Sequence, residues 1–317
     1  MRIVYLGSGE FGIDCLDALA RSQHSLCLIV TQPASPAGRG RKPCSTPVCC
    51  WSQAHSIPFI EADDINAPEV HNKIAEHQPD QILVIAFGQK IGNTMIRLPP
   101  KGAINVHASL LPKYRGAAPI NWAIINGETQ TGVSVITLAE KMDTGNILAH
   151  VQTPIGPEET AGELHDRLAK LAAPLLIDTI NQIEKGTATY TPQDHSKATL
   201  APKLKKTDGF LDFAEPAELL ARRIRGFWPW PGASADYVSK RTGKTARVTV
   251  ALAEPVALPN PLLLPPGTFN ESLSVICGVG ALRIKELKPA SSNLMTFRAF
   301  VNGRQTQPGD ILARIQE

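Results

Sequence analysis

A strand that breaks into a glycine-rich turn and then a helix can be built in few ways, and this 317-residue chain opens on one. Arg2 to Leu6 reads as a buried strand running into Gly7-Ser-Gly-Glu-Phe-Gly12, and a helix follows to about Arg21. The order then repeats: strand Ser25 to Thr31, helix Val48 to His55, strand Pro58 to Ile60, helix Pro68 to Glu76, strand Gln81 to Phe87, and a helix around Thr94. Such alternation implies an α/β domain whose parallel sheet is wound on both faces by helices. Ligands then belong beyond the carboxyl ends of the strands. Gly7, Gly9 and Gly12 match the dinucleotide fingerprint, but that fingerprint also needs an acidic residue at the end of the second strand. This strand ends in Thr31-Gln32-Pro33, so the glycines are read as serving the tight turn, with no NAD.

Gly132 to Leu138 and Gly145 to Thr153 look like paired strands joined through Glu140-Lys-Met-Asp143, and a long amphipathic helix from Ala161 to Lys185 closes the first domain at Gly186. Beyond it the rhythm changes. A helix from Ala217 to Arg225 and the sequence Trp228-Pro-Trp-Pro-Gly232 precede short runs at Ala233 to Val238, Ala246 to Leu252, Leu273 to Cys277 and Ala281 to Leu287. Turn-separated runs of this length indicate a small β-barrel. The expected division is residues 1–190, a linker at 191–207, and 208–317, with Pro255 to Pro266 as a long loop.

Apolar residues make up 43% and charged residues 19%, enough for two ordinary cores. No apolar run approaches the ~20 residues of a spanning helix, and a cytosolic protein with no membrane partner is expected. The six cysteines show no Cys-x-x-Cys spacing and the histidines no ligand spacing, so neither a disulfide framework nor a metal is expected. No heptad or spare apolar stripe remains after the core is assigned, which points to a monomer.

Net charge is +3, unevenly placed: residues 201–317 hold 16 Lys and Arg against 10 Asp and Glu, and residues 1–200 hold 16 against 19. A basic second half suits a polyanionic partner, because neutralising phosphates supplies most non-specific nucleic-acid affinity. A second basic feature lies in the Pro- and Gly-rich stretch Gln32 to Pro47, read as a long insertion without regular structure. Its cations Arg39, Arg41 and Lys42 sit on a backbone able to fit against phosphates or a base edge.

The candidate chemistry begins at Ala103-Ile-Asn-Val-His107. Strand alternation puts Asn105 and His107 on one side. An amide donor beside an imidazole at a strand's carboxyl end steadies a negative oxygen and moves a proton, which suggests acyl-type transfer. Ser109-Leu-Leu-Pro112, Arg115-Gly116 and Pro119 follow as a shaped loop, and Asp143-Thr-Gly145 lies one strand further on, where a turn carboxylate can return beside the histidine.

Asn-x-His-x-Ser-Leu-Leu-Pro, Arg-Gly-Ala-Ala-Pro and Asp-Thr-Gly in this order resemble the signature of the formyltransferases that use 10-formyltetrahydrofolate, with methionyl-tRNA formyltransferases the nearest branch, over nearly the whole chain. The resemblance implies a Rossmann-like doubly wound parallel sheet as catalytic domain and a smaller C-terminal OB-like β-barrel that binds tRNA. It implies transfer of the formyl group from 10-formyltetrahydrofolate to the α-amine of initiator methionyl-tRNA for translation initiation, with a UDP-amino sugar as the rival acceptor. Asn105, His107 and Asp143 would be catalytic. Ser109, Leu110, Leu111 and Pro112, with Phe87 and Gly88, would line the folate site, and Arg39, Arg41 and Lys42 would reach the tRNA acceptor stem.

Overall fold

The computed structural model describes residues 1–37, 42–258 and 264–316, and the chain divides into two compact units. The first comprises Met1–Pro119, Gln130–Pro154 and His165–Pro202; the second comprises Ile120–Thr129, Ile155–Leu164 and Lys203–Glu317. Residues 191–202, expected as linker, are therefore part of the first unit.

In chain order the elements up to residue 201 are β1 Arg2–Gly7, α1 Ile13–Ala20, β2 Ser25–Thr31, β3 Ser35–Ala37, β4 Lys42–Cys44, α2 Pro47–Ala54, β5 Phe59–Glu61, α3 Pro68–Glu76, β6 Gln81–Ile85, α4 Asn93–Ile96, β7 Ala103–His107, β8 Arg115–Gly116, α5 Pro119–Ile125, β9 Gln130–Thr137, β10 Ile147–Pro154, α6 Ala161–Lys185 and β11 Leu200–Ala201. A seven-stranded sheet runs β10-β9-β7-β6-β1-β2-β5. From β7 to β5 every pair is parallel, while β9 is antiparallel to both β7 and β10. The chain winds outward from β1 through β2 to β5 and then returns to β6 on the other side, which makes the β1–β6 boundary the switch point where such sheets bind ligands.

Both faces of the sheet are covered, as the unbroken apolar runs require. Val4, Leu6, Val30, Ile82 and Val84 pack on one side with Ile65 and Ile74, while Ile3, Tyr5, Ile29, Leu83 and Ile85 are equally buried on the other. On α6 the residues Leu168, Ala172, Leu176 and Ile180 are buried at four-residue spacing, one stripe of the helix. Its start is capped reciprocally: Thr160 N–H donates to Glu163 Oε2 at 2.9 Å and Glu163 N–H to Thr160 Oγ1 at 3.3 Å. The glycine-rich turn packs closely on the first strand. The Tyr5 ring lies beneath it, and a Cβ on Gly12 would stand 1.8 Å from the Tyr5 hydroxyl. The insertion, expected to lack regular structure, is bracketed by a short ladder in which Ser35 pairs Cys44 and Ala37 pairs Lys42.

The second unit adds α7 Ala217–Phe227, β12 Ala233–Val238, β13 Thr245–Val256, β14 Val275–Ile276, β15 Ala281–Pro289, β16 Met295–Thr296, α8 Phe297–Arg304 and β17 Ile311–Ala313. Its antiparallel sheet runs β14-β15-β13-β12-β17, and bridges Thr268–Ile311 and Phe269–Val275 link the outer strands into a nearly closed barrel. Ala235, Tyr237, Val248, Val250, Leu282, Ile284 and Leu287 fill it, and α7 lays Ala217, Leu220, Ala221 and Ile224 into the same core. β13 continues through Pro255 and Val256, part of the stretch expected as loop. Among the described residues, no helix is long and apolar enough to cross a membrane.

Candidate active site

β7 carries Asn105 and His107 to the carboxyl edge of the sheet, next to β6, with Val84 beside Asn105. Across the strand, Asn105 faces Ile136 and His107 faces Ser134 on β9. The side chain of His107 keeps only 6% of its surface exposed and Asn105 is half-buried. His107 Nε2 lies 2.9 Å from the Tyr114 carbonyl oxygen. A carbonyl only accepts, so Nε2 carries the hydrogen and Nδ1 is the nitrogen left for chemistry. Nδ1 stands 3.7 Å from Oδ2 of Asp143.

Asp143 comes back to this point from the β9–β10 connection. Its backbone is left-handed, with φ of 55°, a conformation an aspartate tolerates better than most side chains. Oδ2 accepts the Gly116 N–H at 2.9 Å, and Oδ1 lies 3.5 Å from Asn105 Nδ2. The second contact is long. The Asn105 amide is thus only loosely engaged and can turn a donor toward an oxyanion, while the carboxylate is held by the Gly116 N–H and stands at ion-pair distance, beyond hydrogen-bond reach, from His107.

The loop after His107 is held by polar ties. Ser134 Oγ donates to the Ser109 carbonyl at 2.7 Å and accepts the Leu111 N–H at 3.1 Å, and Ser109 Oγ donates to the Lys113 carbonyl at 2.7 Å. Ser109 and Leu111 are buried, with Pro112 and Leu110 half-buried and Leu110 packed beside Gly132. Phe87 and Gly88 leave the end of the adjacent strand β6; Phe87 is buried and its carbonyl accepts Gln32 Nε2 at 2.8 Å. The two loops thus leave neighbouring strands at the same sheet edge. Arg39 and Arg41 lie outside the described residues, and of Lys42 the structure describes only its place in β4.

Sequence reasoning missed the residues that hold this constellation together. Gly116 N–H and the Tyr114 carbonyl lie in the shaped loop, where nothing in the residue types marks a backbone group as important. Gln193, in the segment read as linker, is buried and donates through Nε2 to the carbonyls of Asp143 and Gly145 at 2.9 and 2.7 Å. Its only signal was a glutamine in a stretch without periodicity.

A formyl transferase family model matches residues 1–180, and a model of the formyl transferase C-terminal domain matches residues 203–305. The chain belongs to the formyl transferase family. Among its relatives are proteins named methionyl-tRNA formyltransferase from Geobacter metallireducens, 37% identical over 98% of this chain and 97% of that protein, and from Alkaliphilus oremlandii, 39% identical over 98% and 99%. A third of the same name, from Solibacter usitatus, is 40% identical over 96% of both chains. Solved structures share the fold at lower identity. A sugar 3N-formyl transferase, WlaRD, crystallised with dTDP and 5-N-formyl-THF, superposes with a TM-score of 0.63 over 92% of this chain and 99% of that one, at 15% identity. HypX from Aquifex aeolicus in complex with tetrahydrofolic acid gives 0.59 over 95% of this chain and 47% of its own, at 16% identity.

Proposed function

We propose that the protein transfers the formyl group of 10-formyltetrahydrofolate to the α-amino group of methionyl-initiator-tRNA, in the cytosol and as a monomer. The observation that carries this reading is the convergence of Asn105, His107 and Asp143 at the end of β7, with the histidine's Nδ1 turned toward the carboxylate. In the reaction, a C–N bond forms between the uncharged amine and the formyl carbon, the bond from that carbon to N10 breaks, the amine gives up a proton and N10 gains one. The tetrahedral species between them carries a negative oxygen. Asn105 donates to that oxygen, His107 donates through Nδ1 to it or to the departing N10, and Asp143 orients His107 or accepts the amine proton through a water. Phe87, Gly88 and Ser109 to Pro112 line the folate site, the donor being a co-substrate rather than a resident group.

On this reading residues 1–190 belong to the catalytic domain and residues 208–317 to the tRNA-binding domain. Arg39, Arg41 and Lys42 grip the acceptor end. The names and full-length coverage of the relatives support tRNA as acceptor over a sugar.

The test is formyl transfer from 10-formyltetrahydrofolate to charged initiator tRNA beside transfer to a UDP-amino sugar. The tRNA should be formylated and the sugar not; the reverse result sinks the reading. In the same assay the Arg39/Arg41/Lys42→Ala variant should lose tRNA affinity with donor affinity intact. The slope of log affinity against log salt should fall by roughly one for each phosphate contact removed.

A further inference from the structure

The segment between α6 and β11 reaches across the candidate site. Thr191 bridges Ile147, Thr199 Oγ1 accepts the Tyr114 N–H at 2.9 Å, and β11 pairs in parallel with β8, Leu200 beside Arg115 and Ala201 beside Gly116. Gln193 sits at the centre of this crossing. Its amide nitrogen donates to the backbone oxygens on either side of the Asp143-Thr144-Gly145 turn, and its amide oxygen accepts from Arg115 Nε at 3.2 Å and a terminal guanidinium nitrogen at 2.6 Å. That nitrogen also lies 2.9 Å from His195 Nδ1. One buried amide therefore ties the turn bearing Asp143 to the strand that supplies Arg115 and Gly116.

We propose that Gln193 is a positioning residue for formyl transfer: by clamping the carbonyls of Asp143 and Gly145 it holds the Asp143 carboxylate between Asn105, His107 and the Gly116 amide. The inference rests on the formyl-transfer reading above and deepens it. Asp143 adopts a left-handed backbone on a connection whose neighbours Lys141 and Met142 are exposed; Thr144 Oγ1 closes the turn locally on the Lys141 carbonyl, Asn146 ties its far end to Thr137, and Gln193 is the side chain that grips the Asp143 and Gly145 carbonyls. The Gly116–Asp143 and Gln193–Asp143 bonds act on different parts of the same residue, the first on its carboxylate and the second on its backbone. With the second gone, the carboxylate can swing from Nδ1 while the rest of the unit stays folded. Small misplacements of this kind cost rate rather than binding.

The experiment is a double-mutant cycle in the full-length protein, with Gln193→Ala, Gln193→Glu, Asp143→Asn and the Gln193→Ala/Asp143→Asn pair. Steady-state formyl transfer to charged initiator tRNA and melting temperature are read for each. Gln193→Ala should lower kcat by roughly 10- to 100-fold with KM for both substrates within about twofold of the parent. Gln193→Glu keeps the shape and the Arg115 pair but sets an oxygen against two carbonyl oxygens, so it should lose kcat to a similar degree. In the Asp143→Asn background, Gln193→Ala should add less than about twofold, because its effect passes through the carboxylate. Wild-type kcat in Gln193→Glu, a fall in melting temperature with kcat unchanged, or full multiplication of the two losses would overturn the proposal. An Asp143→Asn protein of normal activity would instead overturn the catalytic assignment of Asp143 itself, and this inference with it.

Discussion

His107 Nδ1 and Asp143 Oδ2 stand 3.7 Å apart, one residue from the end of a parallel strand and the other from a turn 36 positions later. Nε2 faces the Tyr114 carbonyl, so the proposed mechanism routes proton transfer through the nitrogen on the carboxylate side. The proposed mechanism gives the histidine and Asn105 distinct tasks. His107→Ala should lower kcat by ~10²–10⁴ through loss of proton transfer, and Asn105→Ala by ~10²–10³ through loss of an oxyanion donor. Combined, they should cost less than the product, since groups that act as a unit are not additive. Single-turnover formyl transfer measures this directly; a folded His107→Ala protein with near-normal turnover refutes the assignment.

The barrel has its own buried carboxylate. Asp310 is fully buried and accepts the Tyr237 hydroxyl at 2.5 Å, the Lys240 N–H at 2.7 Å and the Gln307 N–H at 3.1 Å. Asp310→Ala strands all three donors at once and should destabilise the protein by roughly 3–5 kcal/mol. Tyr237→Phe removes one partner and should cost about 1–2 kcal/mol. Urea unfolding separates the two, and equal losses would show that the hydroxyl, not the network, matters.

Cys15 and Cys277 are buried, and burial pushes both thiols up to about 12. Tyr5 and Tyr237 are raised for the same leading reason. A folded-state value above the unfolded one favours the protonated native state. This stability is complete below about pH 9, the unfolded thiol value, and drains away as pH climbs through 12. Melting temperature should fall steadily across that window. At pH 8 iodoacetamide should label the exposed Cys44 and Cys50 in the native protein and spare Cys15 and Cys277. Rapid native labelling of Cys15 would contradict the packing.

Much of the first unit is written in local pattern. Ser25 to Thr31, Pro68 to Glu76 and Ala161 to Lys185 fold over the spans that their apolar spacing and caps indicate, because each element buries a face its own sequence defines. Asn105 and His107 were legible for the same reason, as alternate residues of one strand. What local pattern does not encode is a partnership made through the backbone. Gln193 meets carbonyl oxygens at 143 and 145, any residue type offers such an oxygen, and the fold alone decides which ones arrive. The Ser35–Cys44 ladder escaped notice because prolines and glycines hide a period of two, and α8 because Phe300 is the single buried residue of that short helix.

The glycine-rich turn gives the sharpest test of sequence against packing. The third glycine of such a turn serves close packing of helix on strand, and here the space a Gly12 side chain would take is held by Tyr5, with its oxygen 1.8 Å and its Cζ 3.1 Å from the added carbon. That hydroxyl is fully buried and has no hydrogen-bond partner among the described residues. Tyr5→Phe removes an unsatisfied polar group with no loss of apolar packing, and should be neutral or stabilising by about 1 kcal/mol. Gly12→Ala forces an overpacked contact, and should cost at least the usual ~1–3 kcal/mol. In the Tyr5→Phe background the same substitution should cost less, because the nearest atom is gone and only the ring edge must shift. Thermal unfolding of the two single variants and the pair measures the coupling. Strict additivity would mean that the turn's glycines answer to something other than the tyrosine beneath them.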